Sequence, residues 1–115
     1  MKRHIAFLIL LFTAVACEDN DIAKDTPDCV VDIIKGLKKE SVRNPPASVA
    51  RYTYNSKTVY YIPPFCCDAF SQLIDENCNT ICSPDGGLTG GGDGKCGDFF
   101  KTRSDEKLIW QDDRK

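Results

Sequence analysis

Cysteine is the residue type with the widest chemistry in this chain, because a thiol can form a disulfide, bind zinc or carry a lipid. The 115-residue sequence contains seven of them: Cys17, Cys29, Cys66, Cys67, Cys78, Cys82 and Cys96. Zinc sites use cysteine pairs of C-x2-4-C type, and the sequence has one adjacent pair, one C-x3-C pair and distant single cysteines. We therefore favour disulfides over zinc. An odd number leaves one cysteine for another role.

The first sixteen residues have the pattern of an export signal. Positive charge at its start comes from Lys2 and Arg3, and residues 5–16 are uncharged and rich in Leu, Ile and Phe. This stretch is shorter than the roughly 20 apolar residues of a membrane span and fits a signal peptide. Small residues precede Cys17, so the stretch resembles a bacterial lipobox. The resemblance predicts a signal peptide at 1–16 and a lipid on Cys17.

Acidic residues follow the predicted lipidation site. Glu18, Asp19 and Asp21 lie in a polar stretch with few apolar residues, which predicts an acidic flexible tether over residues 17–26. The cluster resembles the surface-export signal of Bacteroidota lipoproteins. We therefore expect a protein held in the cell envelope by its N-terminal lipid, at the outer membrane and exposed at the surface.

The six remaining cysteines are candidates for three disulfides. The mature chain has 99 residues, a length that buries a modest core and that disulfides often supplement. A bond between the neighbours Cys66 and Cys67 would be strained, so we expect these two to have different partners. A bridge from Cys29 to either of them would close a loop of nearly 40 residues and stabilise the fold by about 4 kcal/mol in the chain-entropy model.

Composition excludes several function classes. The sole histidine, His4, lies in the predicted signal peptide, so the mature chain lacks the residue on which Ser-His-Asp and Cys-His catalysis depend. The mature chain keeps 13 basic and 17 acidic residues, a net charge of −4. This balance argues against nucleic acid as a partner.

Residues 27–40 have the pattern of an amphipathic helix. Thr26 is a good N-cap, Pro27 fits the first helical position and Asp28 suits the positive helix end. Apolar residues recur at positions 29, 30, 33, 34 and 37, which is the spacing of one helix face.

Strands are predicted for the rest of the chain. Residues 48–62 are rich in Val, Thr and Tyr around Asn55-Ser56, which indicates a hairpin. Residues 69–82 indicate a second hairpin, and 107–110 a last strand. The predicted fold is α+β: a single disulfide-stabilised domain over 27–115, with the N-terminal helix packed on an antiparallel sheet of four to five strands.

Two sets of residues are candidates for binding. All four tyrosines, Tyr52, Tyr54, Tyr60 and Tyr61, lie in the first hairpin. They form either one half-buried face of the sheet or an aromatic platform for a sugar or peptide. Asp85, Asp93 and Asp98 lie in or beside a glycine-rich segment, residues 83–97. Their oxygens on a flexible backbone suggest a calcium site, and the alternative is a plain loop fastened by Cys96.

Four strings carry a resemblance over most of the mature chain: RNPPASV at 43–49, VYYIPPFCCDAF at 59–70, ICSPDGGLTGGGDGKC at 81–96 and EKLIW at 106–110. On these strings the chain resembles a family of small cysteine-rich Bacteroidota lipoproteins with a domain of unknown function. The resemblance implies a location and no activity.

We therefore expect a non-enzymatic binding or interaction module with a protein or glycan partner; a protease-inhibitor-like role is one form of it. The alternative is a carboxylate-based or calcium-dependent envelope enzyme.

Overall fold

Two helices and five strands follow one another along residues 21–115, the part of the chain that the computed structural model describes. The elements are α1 (Asp28–Lys39), β1 (Ser48–Tyr54), β2 (Lys57–Ile62), β3 (Gln72–Ile74), β4 (Thr80–Cys82), α2 (Phe99–Thr102) and β5 (Ser104–Gln111). The predicted signal peptide, the lipid on Cys17 and residues 18–20 of the predicted tether lie outside the described residues.

The strands form one antiparallel sheet in the order β4-β3-β2-β1-β5. The predicted first hairpin is confirmed, because Asn55 and Ser56 both adopt positive φ, 49° and 63°, as a tight two-residue turn requires. The pairs Tyr52↔Val59 and Thr53↔Thr58 have the register that the turn position predicts. The second hairpin is also present, with strands of only three residues each.

Helix α1 has the predicted amphipathic face, with Val30 and Ile34 fully buried. Its N-terminus differs from the prediction, because the capping position is Pro27 and no side chain caps the helix. The Thr26 hydroxyl instead donates to the Ala23 carbonyl oxygen at 2.6 Å. Val30 and Ile34 belong to one buried cluster with residues of four strands: Val49, Tyr60, Ile62, Ile74, Ile109 and Trp110.

A second buried cluster lies around Phe99, which is completely inaccessible to solvent. The rings of Tyr52 and Tyr54 meet the Phe99 ring edge-on, each with 5.4 Å between ring centroids. Val59 and Leu73 belong to the same cluster, as do Cys82 and Cys96. Side chains alternate between the two faces of a strand, so one hairpin supplies both clusters.

The cysteine pairing is Cys29–Cys78, Cys66–Cys67 and Cys82–Cys96. The prediction that Cys66 and Cys67 have different partners is wrong, and so is a bridge from Cys29 to either of them. Cys67 adopts the left-handed region at φ 60°, and this local bend lets neighbouring residues bond. Cys29, at the start of α1, lies instead beside the β3–β4 turn.

The sheet has two different ends. Because neighbouring strands are antiparallel, the starts of β1 and β3 lie together with the ends of β2, β4 and β5. The long connections over 63–71 and 83–97 leave from this end, which we call the loop end. The short turns β1–β2 and β3–β4 lie at the other end, which we call the hairpin end.

Residues 21–26 lie against the domain rather than apart from it. The Asp21 carboxylate accepts hydrogen bonds from Lys38 Nζ at 2.8 Å and from Trp110 Nε1 at 2.9 Å. Both bonds lower the pKa of Asp21 below its ordinary value, the lysine more strongly. Ile22 is buried, and the Ala23 amide donates to the Ile109 carbonyl oxygen at 2.9 Å. The segment predicted as a flexible tether is therefore ordered in its second half, because Asp21 and Ile22 both find partners.

Candidate binding surface

The connection from β2 to β3 is a stiff loop with an exposed phenylalanine. Pro63 and Pro64 end the strand, and the Ala69 amide donates to the Cys66 carbonyl oxygen at 2.9 Å, closing a turn around the Cys66–Cys67 disulfide. Phe65 precedes this turn and is 54% exposed. The Arg43 guanidinium lies over this ring, with its central carbon 4.5 Å from the ring centroid. The loop therefore holds an aromatic ring at the surface.

The glycine-rich segment is hydrogen-bonded to that loop. The Ser71 amide donates to the Asp85 carbonyl oxygen, and the Gly87 amide to the Ala69 carbonyl oxygen, each at 3.1 Å. Phe70 and Gly86 form an isolated antiparallel bridge. These contacts continue the β3–β4 pairing outward past the loop end. The chain then turns back, with the Gly90 amide donating to the Gly87 carbonyl oxygen at 3.2 Å.

Two glycines permit this close approach. A Cβ on Gly86 would lie 2.3 Å from the Ala69 carbonyl oxygen, and a Cβ on Gly92 would lie 2.0 Å from the Ser83 carbonyl oxygen. Both residues also have positive φ, 88° and 69°, which side-chain-bearing residues rarely adopt. The predicted glycine loop is therefore confirmed. Its glycines let the backbone of the loop approach Ala69 and Ser83 at distances that a Cβ atom would prevent.

The tips of the two loops carry large apolar side chains in solvent. Leu88 is 88% exposed and Phe70 is 53% exposed. A shallow cavity of about 420 Å³ lies between them, lined by Asp68, Phe70, Gly87, Leu88, Thr89 and Gly92. We call Phe65, Phe70 and Leu88 together the apolar loop surface. Exposed apolar groups concentrated on ordered loops are typical of an interaction site.

The tyrosines do not form the predicted platform. Tyr52, Tyr54 and Tyr60 are buried, at 4%, 7% and 2% exposure, because both faces of the sheet are covered. The Tyr52 hydroxyl donates to Glu106 at 2.8 Å and the Tyr61 hydroxyl to Asp85 at 2.8 Å. Burial, and then the hydrogen bond to Asp85, raises the pKa of Tyr61. The alternative prediction was one half-buried face of the sheet, and the structure differs from it as well, because Tyr52 and Tyr54 lie in the buried cluster around Phe99 whereas Tyr60 lies in the cluster that includes Val30 and Ile34.

The structure does not bring the predicted calcium ligands together. The Asp85 and Asp98 carboxylates accept hydrogen bonds from two different tyrosines, Tyr61 and Tyr54. Asp93 accepts from the backbone amides of Ser83 and Lys95, and these bonds lower its pKa. Within residues 21–115, no group of three or more His, Cys, Asp or Glu side chains could hold a metal ion. Each carboxylate instead fastens one part of the loop region.

The remaining carboxylates with altered pKa values also have structural partners. Asp112 accepts bonds from the Arg114 guanidinium, the shortest at 2.7 Å, and Asp75 accepts from the backbone amides of Asn77 and Asn79. These bonds lower both pKa values. Across the described residues, the resolved shifts lower carboxylate pKa values and raise tyrosine pKa values. The hydrogen bonds of Asp75 and Asp112 therefore hold their own local segments of the chain.

Sequence reasoning missed the apolar loop surface. The predicted hairpin over residues 69–82 gave Phe70 a place in a strand, and no prediction singled out Phe65. The signal for Leu88 was present, since it is the only leucine in the glycine-rich segment 83–97 and has no apolar neighbour with which to build a core. A large apolar residue isolated among glycines predicts an exposed loop tip.

In the part of the chain that the structure describes, no helix has the length and apolar character needed to cross a membrane. No curated protein and no solved structure matches the chain. A family model, the domain of unknown function DUF6970, matches residues 35–112, which include the whole sheet and both loops of the apolar loop surface. The chain therefore belongs to the DUF6970 family.

Proposed function

We propose that this protein is a lipid-anchored, non-enzymatic binding module of the bacterial cell envelope. The observation that carries the proposal is the apolar loop surface. Its three side chains are each more than half exposed, and both of its loops are held by backbone hydrogen bonds and a disulfide. Preformed loops bind with a smaller entropic cost than mobile ones. The surface is therefore suited to recognition.

The cysteine pairing supports the anchor. The six cysteines from Cys29 onward are paired with one another, so none of them is left as a disulfide partner for Cys17. An exported protein rarely keeps one unpaired thiol. A lipid on Cys17 accounts for the odd cysteine and for the apolar segment before it. The anchor places the module in the cell envelope, at the outer membrane and exposed at its surface, in a Bacteroidota cell.

A rigid scaffold is part of the proposal. Helix α1 packs on the sheet, and the buried cluster that Val30 and Ile34 share with the strands supports this packing. The Cys29–Cys78 disulfide ties the start of the helix to the hairpin end. The apolar loop surface then keeps its shape whether or not a partner, a protein or a glycan, is present.

Photocrosslinking in intact cells tests the binding surface. A photoreactive amino acid replaces Leu88 in the full chain, and a matched variant carries it at Glu76, an exposed residue of the turn at the hairpin end. We expect crosslinked products from position 88 and few from position 76. Equal labelling at the two positions, or none at position 88, would show that the apolar loop surface is not where the protein binds.

A further inference from the structure

We propose that the apolar loop surface contacts the lipid bilayer in which Cys17 is anchored. The inference rests on the proposed lipid anchor and names the partner of the proposed binding surface. In place of a soluble protein or glycan, the partner is the membrane interface. Three observations carry it: the length of chain after Cys17, the end of the sheet where that chain joins the domain, and the chemistry of the loop tips.

The chain between the anchor and the folded domain is short. Residues 18–20 are all that separate Cys17 from Asp21, and Asp21 is held by Lys38 and Trp110. An extended chain covers at most about 3.6 Å per residue, so Asp21 lies within roughly 14 Å of the anchored cysteine. The domain therefore lies against the bilayer, because no long tether can carry it away.

The chain joins the domain at the loop end. Trp110, which bonds Asp21, pairs with Val49 at the start of β1, and these strand termini define the loop end. The connections that carry Phe65, Phe70 and Leu88 leave the sheet at the same end, from the end of β2, the start of β3 and the end of β4. The contacts between 69–71 and 85–87 then extend the β3–β4 pairing outward. The apolar tips thus project from the end of the domain that the anchor holds at the membrane.

The tips have the chemistry of an interfacial contact. A leucine and two phenylalanines offer apolar area to the boundary between headgroups and acyl chains. Arg43, stacked on Phe65, is paired with Glu40 at 2.7 Å and its side chain is only 14% exposed, so the apolar side chains rather than this cation supply the contact. Asp68 borders the cavity beside Phe70. Because its carboxylate carries charge, the loop tips can enter the headgroup region but not the hydrocarbon core of the bilayer. At the hairpin end, by contrast, the β3–β4 turn consists of Asp75, Glu76 and Asn77, followed by Cys78 and Asn79.

Quenching by brominated lipid tests the contact. The lipidated full-length mature protein carries Leu88→Trp and is reconstituted into phosphatidylethanolamine–phosphatidylglycerol vesicles, with or without bromine on the acyl chains. The native Trp110 also emits in every variant, and it is 2% exposed. Its emission is measured in the protein without an added tryptophan and subtracted from the emission of each variant. We expect about a twofold loss of the added emission, because interfacial side chains lie about 5–10 Å into the boundary region. Phe65→Trp provides an independent second reporter on the other loop.

Glu76→Trp is the matched control, since it places the reporter on an exposed turn at the hairpin end. We expect its emission to be unchanged by bromine. If neither loop reporter is quenched in protein that floats with the vesicles, the membrane contact is overturned. The proposed binding surface still stands in that case if position 88 crosslinks in cells to a protein or glycan. Wild-type protein that fails to float shows that the anchor is wrong, and the membrane contact falls with it.

Discussion

Replacing Cys29 and Cys78 together by alanine is expected to lower the free energy of unfolding by about 4 kcal/mol in the chain-entropy model. The reason is the 49-residue separation of the two cysteines, because a crosslink that closes a longer loop removes more conformational freedom from the unfolded chain. A domain of this size has a total stability of about 5–15 kcal/mol. The loss of this one crosslink is therefore expected to remove between about a quarter and four fifths of the free energy of unfolding.

The other two disulfides supply the controls for urea unfolding monitored by circular dichroism. The Cys82–Cys96 pair has a sequence separation of 14 residues, for which the same relation gives about 3 kcal/mol. The Cys66–Cys67 pair closes no loop along the chain, so its replacement is expected to have little effect on the free energy of unfolding. Each variant removes both cysteines, so no free thiol is left. Equal losses from all three pairs, or the largest loss from Cys66–Cys67, would contradict the assigned pairing.

Replacing Phe99 by alanine is expected to cost about 3–5 kcal/mol of stability, as for other fully buried phenylalanines. Phe99 has no accessible surface, and three tyrosine rings lie within 5.8 Å of its ring centroid. The cavity left by alanine cannot close easily, because Tyr52 and Tyr54 are themselves held by hydrogen bonds to Glu106 and Asp98.

The neighbouring Phe100 is the matched control, because it lies in the same short helix and is 41% exposed. Phe100→Ala is expected to cost about 1 kcal/mol, since much of the ring is already in water. Thermal unfolding of the two variants by differential scanning calorimetry compares them directly. A loss at Phe100 as large as that at Phe99 would contradict the description of Phe99 as the centre of the second buried cluster.

The elements that could be predicted from the sequence are those specified by local patterns. Helix α1 was predicted at 27–40 and lies at Asp28–Lys39, since an apolar face at helical spacing needs no knowledge of its partner. The first hairpin was predicted with its register, because a turn at Asn55-Ser56 fixes which residues face each other. The antiparallel five-strand sheet and the presence of disulfides agree with the predicted fold class.

The features that could not be predicted depend on contacts between distant parts of the chain. The cysteine pairing is one, since the proximity of Cys29 to Cys78 follows from how α1 lies beside the β3–β4 turn. The burial of Tyr52 and Tyr54 is another, because the ring that covers both of them belongs to Phe99, more than 40 residues further along the chain. The docking of Asp21 depends on Trp110 at the other end of the chain. No local pattern records any of these.

The candidate site was missed for a related reason. An apolar residue in a sequence is expected to be buried, and for Phe65 and Phe70, unlike Leu88, only the structure shows that the side chain stays in solvent. Their common position at the loop end emerges from the antiparallel order of the strands. The proposal of an anchor at Cys17 comes from the sequence alone, whereas the apolar loop surface comes from the structure.

The central claim is that Cys17 carries lipid while the six other cysteines form three disulfides. Intact-mass spectrometry of the protein, extracted from envelopes in detergent without reduction, tests it most directly. We expect a chain that begins at Cys17, bears the mass of a diacylglyceryl group, shows the mass deficit of three disulfides and gains no mass from a thiol-alkylating reagent. A mature chain with an unmodified Cys17, or with two or more alkylated cysteines, would contradict the claim.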